Sequence, residues 1–269
     1  METFSADWLA LREPADHAAR DAGLTGRAAE WLRSLGRPAR AIDLACGSGS
    51  NVRYLLPRLP QVSHWTLVDH DPALLAVARQ SLQPLADAAG VTLETQVFDL
   101  RHIEALPLGG HDLLTTAAFL DLVSADWIDR WAACCARQPM AVLAVLSYDG
   151  RMQLEPAEAL DEEVRTLVNR HQQTDKGLGP ALGPDAAAHA ARVLQVPPEA
   201  CPASDWVLTP SSAELQRQLV AGWAGAACEM APDRCVEIRA WDARRRAQAN
   251  RGELRVTVGH RDLLAMPGR

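Results

Sequence analysis

Lysine is almost missing from this sequence: of its 27 basic residues, Lys176 is the one lysine and all the others are arginine. Abundant alanine beside them fits a GC-rich coding bias, which makes the surviving lysine more informative than a lysine usually is. Aromatic residues are also scarce, at 5%, and the formal net charge is -7. Together these argue against broad electrostatic binding to nucleic acid or to an anionic membrane surface. No apolar run approaches the roughly 20 residues of a membrane span. The opening residues, METFSADWLALREPADHAAR, lack a basic stretch followed by an apolar one, so they do not read as a secretory signal. Cys46, Cys134, Cys135, Cys201, Cys228 and Cys235 are too sparse for a disulfide scaffold and contain no C-x-x-C pair, so no zinc site is expected. A reducing, cytoplasmic compartment is the resulting expectation. Glycine and proline, 17 of each, are too few for collagen-like or low-complexity chains.

What is present is an α/β rhythm. From Arg40 to Ser147, short apolar runs alternate with amphipathic stretches, as in βαβ units around a parallel sheet. Strands are expected at 41–45, 63–68, 91–98, 111–116 and 140–146. A helix at 51–59 follows the first strand, and a second opens at Asp71-Pro72, where the aspartate caps and proline occupies the first helical position. That second helix is expected to turn Leu74, Leu75, Ala78, Leu82 and Leu85 to one face. A further helix opens at Ser124. Beyond Ser147 the rhythm changes. Helical stretches at 157–171 and 185–194 flank a Gly- and Pro-rich loop, a short strand is expected at 205–208, and a helix begins at Ser211 with Glu214 completing a capping box. A helix at 233–246 and a strand at 253–259 close the chain. This reads as one domain: an N-terminal helical cap (1–39), a cofactor-binding core (40–147), a substrate-capping insertion after the fifth strand (148–204) that cannot build a core alone, and C-terminal helices and strands (205–269).

The first strand runs into the turn Asp43-Leu44-Ala45-Cys46-Gly47-Ser48-Gly49. Closely spaced glycines before a helix let backbone approach a ligand, with amide donors at the helix start. A dinucleotide turn would carry a third glycine where Val52 stands, which opposes a nicotinamide cofactor. Acids also end the next two strands, in Val68-Asp69-His70-Asp71 and Phe98-Asp99-Leu100, and the fourth strand reads Asp112-Leu113-Leu114-Thr115-Thr116-Ala117.

In the order and spacing of these segments the chain resembles the class I S-adenosylmethionine-dependent methyltransferases, from about Leu9 to the C-terminus. The resemblance implies a seven-stranded Rossmann-like sheet, mostly parallel with the last strand antiparallel, and helices on both faces. It also implies S-adenosylmethionine as cofactor, with S-adenosylhomocysteine as product. Its contacts are expected at Arg12, Asp43, Ala45, Gly47, Gly49, Asn51, Asp69, His70, Asp99, Leu100 and Thr116. Asp69 is expected to hold both ribose hydroxyls, Asp99 to accept from the adenine amino group, and Arg12 to meet the methionine carboxylate. Each has an ordinary alternative: a strand-end Asp is commonly a turn former or cap, Cys46 a small apolar filler, and Arg12 a surface partner of Glu13 or Asp16.

Methyl transfer from a sulfonium is an in-line displacement that needs positioning first, and a base only when the acceptor must lose a proton. The catalytic candidates are His171, Lys176 and Asp121. His171 can serve as a base or an acid but equally suits a helix end. Lys176 lies in a Gly-rich loop that can act as a lid, with Gln172 and Asp175 beside it. Asp121 follows the fourth strand, where Ser124 offers it a helix-start role instead. Tyr148, Asp149 and Arg151 are candidate pocket walls. The tryptophans, among them Trp127, Trp131, Trp206, Trp223 and Trp241, fit core packing better than a cation box, and Arg244-Arg245-Arg246 a solvated helix end. No metal, nucleic acid or membrane partner is expected. The reading is a methyltransferase of a small molecule. The alternatives are an RNA or protein methyltransferase and a non-catalytic cofactor-binding protein.

Overall fold

In the computed structural model, which describes residues 4–267, two helices precede the sheet: α1 (Ala6–Ala19) and α2 (Ala22–Ser34). The alternating part follows as β1 (Ala39–Leu44), α3 (Ser50–Leu55), β2 (Val62–Asp69), α4 (Pro72–Ala89), β3 (Thr92–Val97), β4 (Leu113–Ala117), α5 (Ala125–Cys135) and β5 (Ala141–Glu155). The remainder contains α6 (Asp161–Gln172), α7 (Ala186–Val193), β6 (Trp206–Leu208), α8 (Ala213–Met230), α9 (Cys235–Asn250) and β7 (Arg255–Ala265).

The seven strands form one sheet in the order β3-β2-β1-β4-β5-β7-β6. β1 to β5 are parallel, and β7 runs antiparallel to both of its neighbours. This is the Rossmann-like sheet that the resemblance implies. β1 and β4 are buried on both faces, as near-continuous apolar strands between helix layers must be. Because β2 and β3 lie to one side of β1 and β4 to the other, the strand order reverses between β1 and β4. That reversal opens a crevice at their carboxyl ends.

Local signals act largely as the sequence suggests. Asp71 caps α4 by accepting from the Ala73 and Leu74 amides, and Ser124 caps α5 through the Trp127 amide. In α4 the buried face is Leu74, Leu75, Ala78, Leu82 and Ala86; Leu85 is instead exposed, because at 3.6 residues per turn Ala86 lies nearer the stripe. The expected capping box at Glu214 does not form. Pro210–Ser212 makes a tight turn, α8 starts one step later without a side-chain cap, and Glu214 pairs with Arg217 and Gln218.

The largest departure is at β5, which continues to Glu155 instead of ending near Leu146. Its second half pairs with β7, itself longer than the expected 253–259. Pattern alone missed this because the register shifts between Ala144 and Ser147 and again between Tyr148 and Met152, with Leu146 and Gly150 at positive φ. The extended strands carry a hydrophobic cluster of their own. Leu154, Val164, Val168, Trp206, Val220, Ile238 and Trp241 belong to it, so α6 joins α8 and α9 in a shared core. Cys228 and Cys235, expected as thiols, are joined in a disulfide between the end of α8 and the start of α9.

Candidate active site

A cavity opens at the carboxyl ends of β1 and β2, walled by the β1–α3 turn, the inner face of α1 and the segment after β4. The turn is built to bring backbone close. Gly47 is at φ +51°, its N–H donates to Asp69 Oδ2 at 2.9 Å, and a Cβ there would meet Leu9 Cδ1 at 3.1 Å. Gly49 serves a different end. At φ +84° its missing Cβ would stand 2.7 Å from Leu82 Cδ1, so this glycine lets α3 pack on α4, and it does not face the cavity.

Of the expected cofactor residues, Arg12, Asp43, Ala45, Gly47, Asn51, Asp69, His70 and Leu100 line this cavity. Gly49, Asp99 and Thr116 do not. The Thr116 hydroxyl donates to the Leu44 carbonyl at 3.0 Å, tying β4 to β1. Asp99 faces outward, accepting from the Arg101 amide and guanidinium, and this pairing holds its carboxyl down at about 2. Asp69 is buried. Its second oxygen accepts from the Asp71 amide at 3.0 Å, with His70 Nδ1 3.1 Å away, so in this structure it braces the loop.

Arg12 is paired with Asp16 at 2.9 and 3.0 Å, and its guanidinium lies 4.9 Å over the Trp206 ring. A different arginine holds the floor of the cavity. Arg20, at the end of α1, is 7% exposed. Its Nη1 donates to Asn51 Oδ1 at 2.5 Å, while Nε and Nη2 are buried without a partner. Asn51 in turn donates to Asp43 Oδ1, which also accepts from the Thr115 hydroxyl at 2.6 Å. Asp43 Oδ2 has no partner. Burial pushes the Asp43 carboxyl up to about 6, against the pull of Thr115, Asn51 and Arg20. Burial likewise lowers the Arg20 guanidinium. The cavity therefore holds orphaned donors and an orphaned acceptor joined through one asparagine. Unsatisfied buried groups of this kind are costly unless a ligand completes them.

A second cavity of about 410 Å³ adjoins the first and shares Arg12, Ala118, Leu146 and Lys176 with it. The three catalytic candidates all reach this second cavity. His171 Nε2 lies 3.1 Å from Glu229 Oε2 and its Nδ1 3.4 Å from Lys176 Nζ, so both ring nitrogens are engaged. Asp121 is buried at the wall. Gln172 and Tyr148 line it too; the Tyr148 hydroxyl donates to Asn169 at 2.7 Å. Asp175 accepts from the Gly177 amide within its own loop, and Arg151 donates to both Asp149 and Asp205, none of the three lining the cavity. Trp127, Trp131 and Trp241 are core, as expected, whereas Trp206 and Trp223 form wall. Arg244, Arg245 and Arg246 are tied to Glu158, Asp161 and Asp242, so the basic turn is held within the chain.

Arg20, His17, Asp16, Trp8 and His260 were not singled out from the sequence, yet each lines one of the two cavities. No local signal marks them. Arg20 is one arginine among many, and His17 shows its use only through the Ser50 carbonyl it meets at 3.0 Å.

Residues 41–138 match the family model described as a methyltransferase domain. No curated protein matches the chain. Among solved structures, the cyclopropane synthase MmaA2 from Mycobacterium tuberculosis is 11% identical, with 96% of this chain and 94% of that one covered and a TM-score of 0.47. An O-methyltransferase family protein from Burkholderia thailandensis is 20% identical over 70% of this chain, at a TM-score of 0.46, and the chain spans about half of its length, 51%. A geranyl diphosphate C-methyltransferase from Streptomyces coelicolor A3(2) is 13% identical, with 87% and 77% coverage and a TM-score of 0.43.

Proposed function

We propose that this chain is a class I S-adenosylmethionine-dependent methyltransferase, a reading supported by the methyltransferase-domain match at residues 41–138, and that it transfers the methyl group to a small molecule held in the second cavity. The first cavity, lined by Arg20, Asn51, Asp43 and Asp69, would hold S-adenosylmethionine, whose sulfonium would supply the methyl: an acceptor lone pair would form the new bond to carbon, the carbon–sulfur pair would return to sulfur, and any displaced acceptor proton would leave with solvent.

The observation that carries the reading is the linked set Arg20–Asn51–Asp43. Its orphaned guanidinium donors and orphaned carboxylate oxygen complement the two ends of an amino-acid zwitterion. In our reading Arg20 receives the methionine carboxylate, the role the resemblance gave to Arg12, and Asp43 Oδ2 receives the ammonium. Asp69 retains accepting capacity beyond its two amide bonds for the ribose hydroxyls, with His70 beside it. Leu74 and Leu100 line the same cavity and would give the adenine ring an apolar surface.

A small acceptor is favoured because the second cavity has the volume of a small-molecule site and joins the first where the methyl must pass. No helix among the described residues is long and apolar enough to cross a membrane. A cytoplasmic location belongs to the proposal, and the Cys228–Cys235 bridge tests it, since a reducing compartment would hold both as thiols.

Calorimetry tests the cofactor arrangement. S-adenosylhomocysteine should bind more tightly than 5′-methylthioadenosine, which lacks the amino-acid end, and NAD should not bind. Equal affinity for the first two would remove the zwitterion reading. Release of labelled methyl from S-adenosylmethionine to a panel of small phenols, amines and acids then separates an enzyme from a non-catalytic binder.

A further inference from the structure

His260 is a buried imidazole that the cofactor scheme does not use. It sits on β7 in register with Tyr148 of β5, is 5% exposed, and lines the second cavity but not the first. Its ring lies 5.1 Å from that of Trp206 and 6.3 Å from that of Tyr148. Its Nδ1 is buried with no hydrogen-bond partner. Burial, reinforced by the Arg12 guanidinium and only partly opposed by Asp149 and Asp205, pushes the imidazole down to about 3. Burial thus favours the neutral ring, which has one lone pair to offer.

The surroundings set the chemistry of what would use that lone pair. Trp8, Trp206, Trp223 and Tyr148 give the cavity ring-bearing walls. The polar ends of two of them are engaged: Trp206 Nε1 donates to Asp16 at 3.1 Å and the Tyr148 hydroxyl to Asn169. The Trp206 face that a cationic guest would use is already covered by the Arg12 guanidinium. A flat neutral guest buries apolar surface against these rings and meets a polar acceptor in His260.

Resting on the methyltransferase reading above, we propose that the second cavity takes a neutral aromatic methyl acceptor bearing a hydroxyl or amino group, and that His260 orients it by accepting a hydrogen bond from that group. His260 lines the second cavity and not the first, where the donor methyl would sit. The group it holds is thus an anchor remote from the atom that is methylated, and His260 is a positioning residue rather than the base.

The probes are 2-naphthol and its methyl ether 2-methoxynaphthalene, titrated calorimetrically into protein saturated with S-adenosylhomocysteine. Wild type should bind 2-naphthol about tenfold or more tightly over the ether, the scale of one buried hydrogen bond. His260→Phe should erase that preference while still binding the ether, and His260→Gln, which keeps an accepting oxygen, should restore part of it. S-adenosylhomocysteine affinity should be the same in all three proteins. That control separates this proposal from the cofactor reading and reports folding. Failure of wild type to bind either naphthalene, equal binding of the two by wild type, or a preference that survives His260→Phe would each overturn the proposal. If His260→Phe does not fold, the wild-type selectivity and the His260→Gln measurement still decide it.

Discussion

Arg20 donates one guanidinium nitrogen to Asn51, at 2.5 Å, and lies over the Tyr54 ring, while its other two nitrogens are buried in the wall of the first cavity with no hydrogen-bond partner among the described residues. A buried cation left in this state is costly, and an anionic ligand group removes the cost. The nearby carboxylates Asp262, Asp43 and Asp16 favour its charge but do not satisfy those two nitrogens.

The first prediction follows from that arrangement. Arg20→Leu should weaken S-adenosylhomocysteine by about tenfold to a hundredfold, the range expected when a charge-assisted hydrogen bond is lost. The affinity for 5′-methylthioadenosine should stay within about threefold, because that ligand has no carboxylate to lose. Arg12→Leu, paired as Arg12 is with Asp16, should affect S-adenosylhomocysteine less. Isothermal titration of both ligands against the three proteins checks the ordering.

Asp43 gives a pH dependence with a defined sign. Its folded carboxyl sits at about 6 against an ordinary 3.8. The folded state therefore binds this proton more tightly than the unfolded chain, and the group's contribution to stability improves as pH falls from about 6 toward 4. Over that window the gain is on the order of 3 kcal/mol. Ligand binding runs the other way, because the ammonium needs the charged form. S-adenosylhomocysteine affinity should fall as pH drops below about 6, and Asp43→Asn should flatten that profile while gaining stability relative to wild type at pH 7.5 more than at pH 4. Titrations and thermal melts across this range read both effects.

Gly49 tests packing apart from chemistry. Gly49→Ala places a Cβ within 2.7 Å of Leu82 Cδ1 at φ +84°. It should destabilise by about 1–3 kcal/mol through overpacking and backbone strain. Leu82→Ala in the same chain should recover the steric part, so the double variant should melt higher than additivity of the single changes predicts.

Asp69 couples loop and ligand. Asp69→Asn keeps one accepting oxygen for the two amides of Gly47 and Asp71. The expected result is a loss of about tenfold or more in affinity for both S-adenosylhomocysteine and 5′-methylthioadenosine, since each carries the ribose. The equal loss on both ligands distinguishes this residue from Arg20.

Much of the fold was legible because it is locally encoded. The apolar runs of β1 to β4, the Asp71-Pro72 start of α4 and the Ser124 start of α5 each depend on residues within a few positions. The extension of β5 was not legible, because its second half is specified by pairing with β7 about a hundred residues away and is interrupted by two register shifts. The site divides in the same way. Asp43, Gly47 and Asp69 stand at strand ends, where pattern finds them. Asp99 stands at one too, yet its neighbour Arg101 turns it outward. His171 was visible as a histidine, but the Glu229 and Lys176 that occupy both its nitrogens come from α8 and from the loop.

The sequence by itself determined the parallel sheet and the glycine turn, because each follows from residues close together along the chain. The tertiary structure alone decided which of many arginines is buried with orphaned donors and which histidine is desolvated between β5 and β6. Arg12 and Arg20 are chemically identical in the sequence. What separates them is the company each keeps once folded: Asp16 satisfies one, while burial beside Asn51 leaves the other with donors to offer. His260 became distinctive in the same way, through its desolvation between β5 and β6, a property of packed space with no counterpart in residue order.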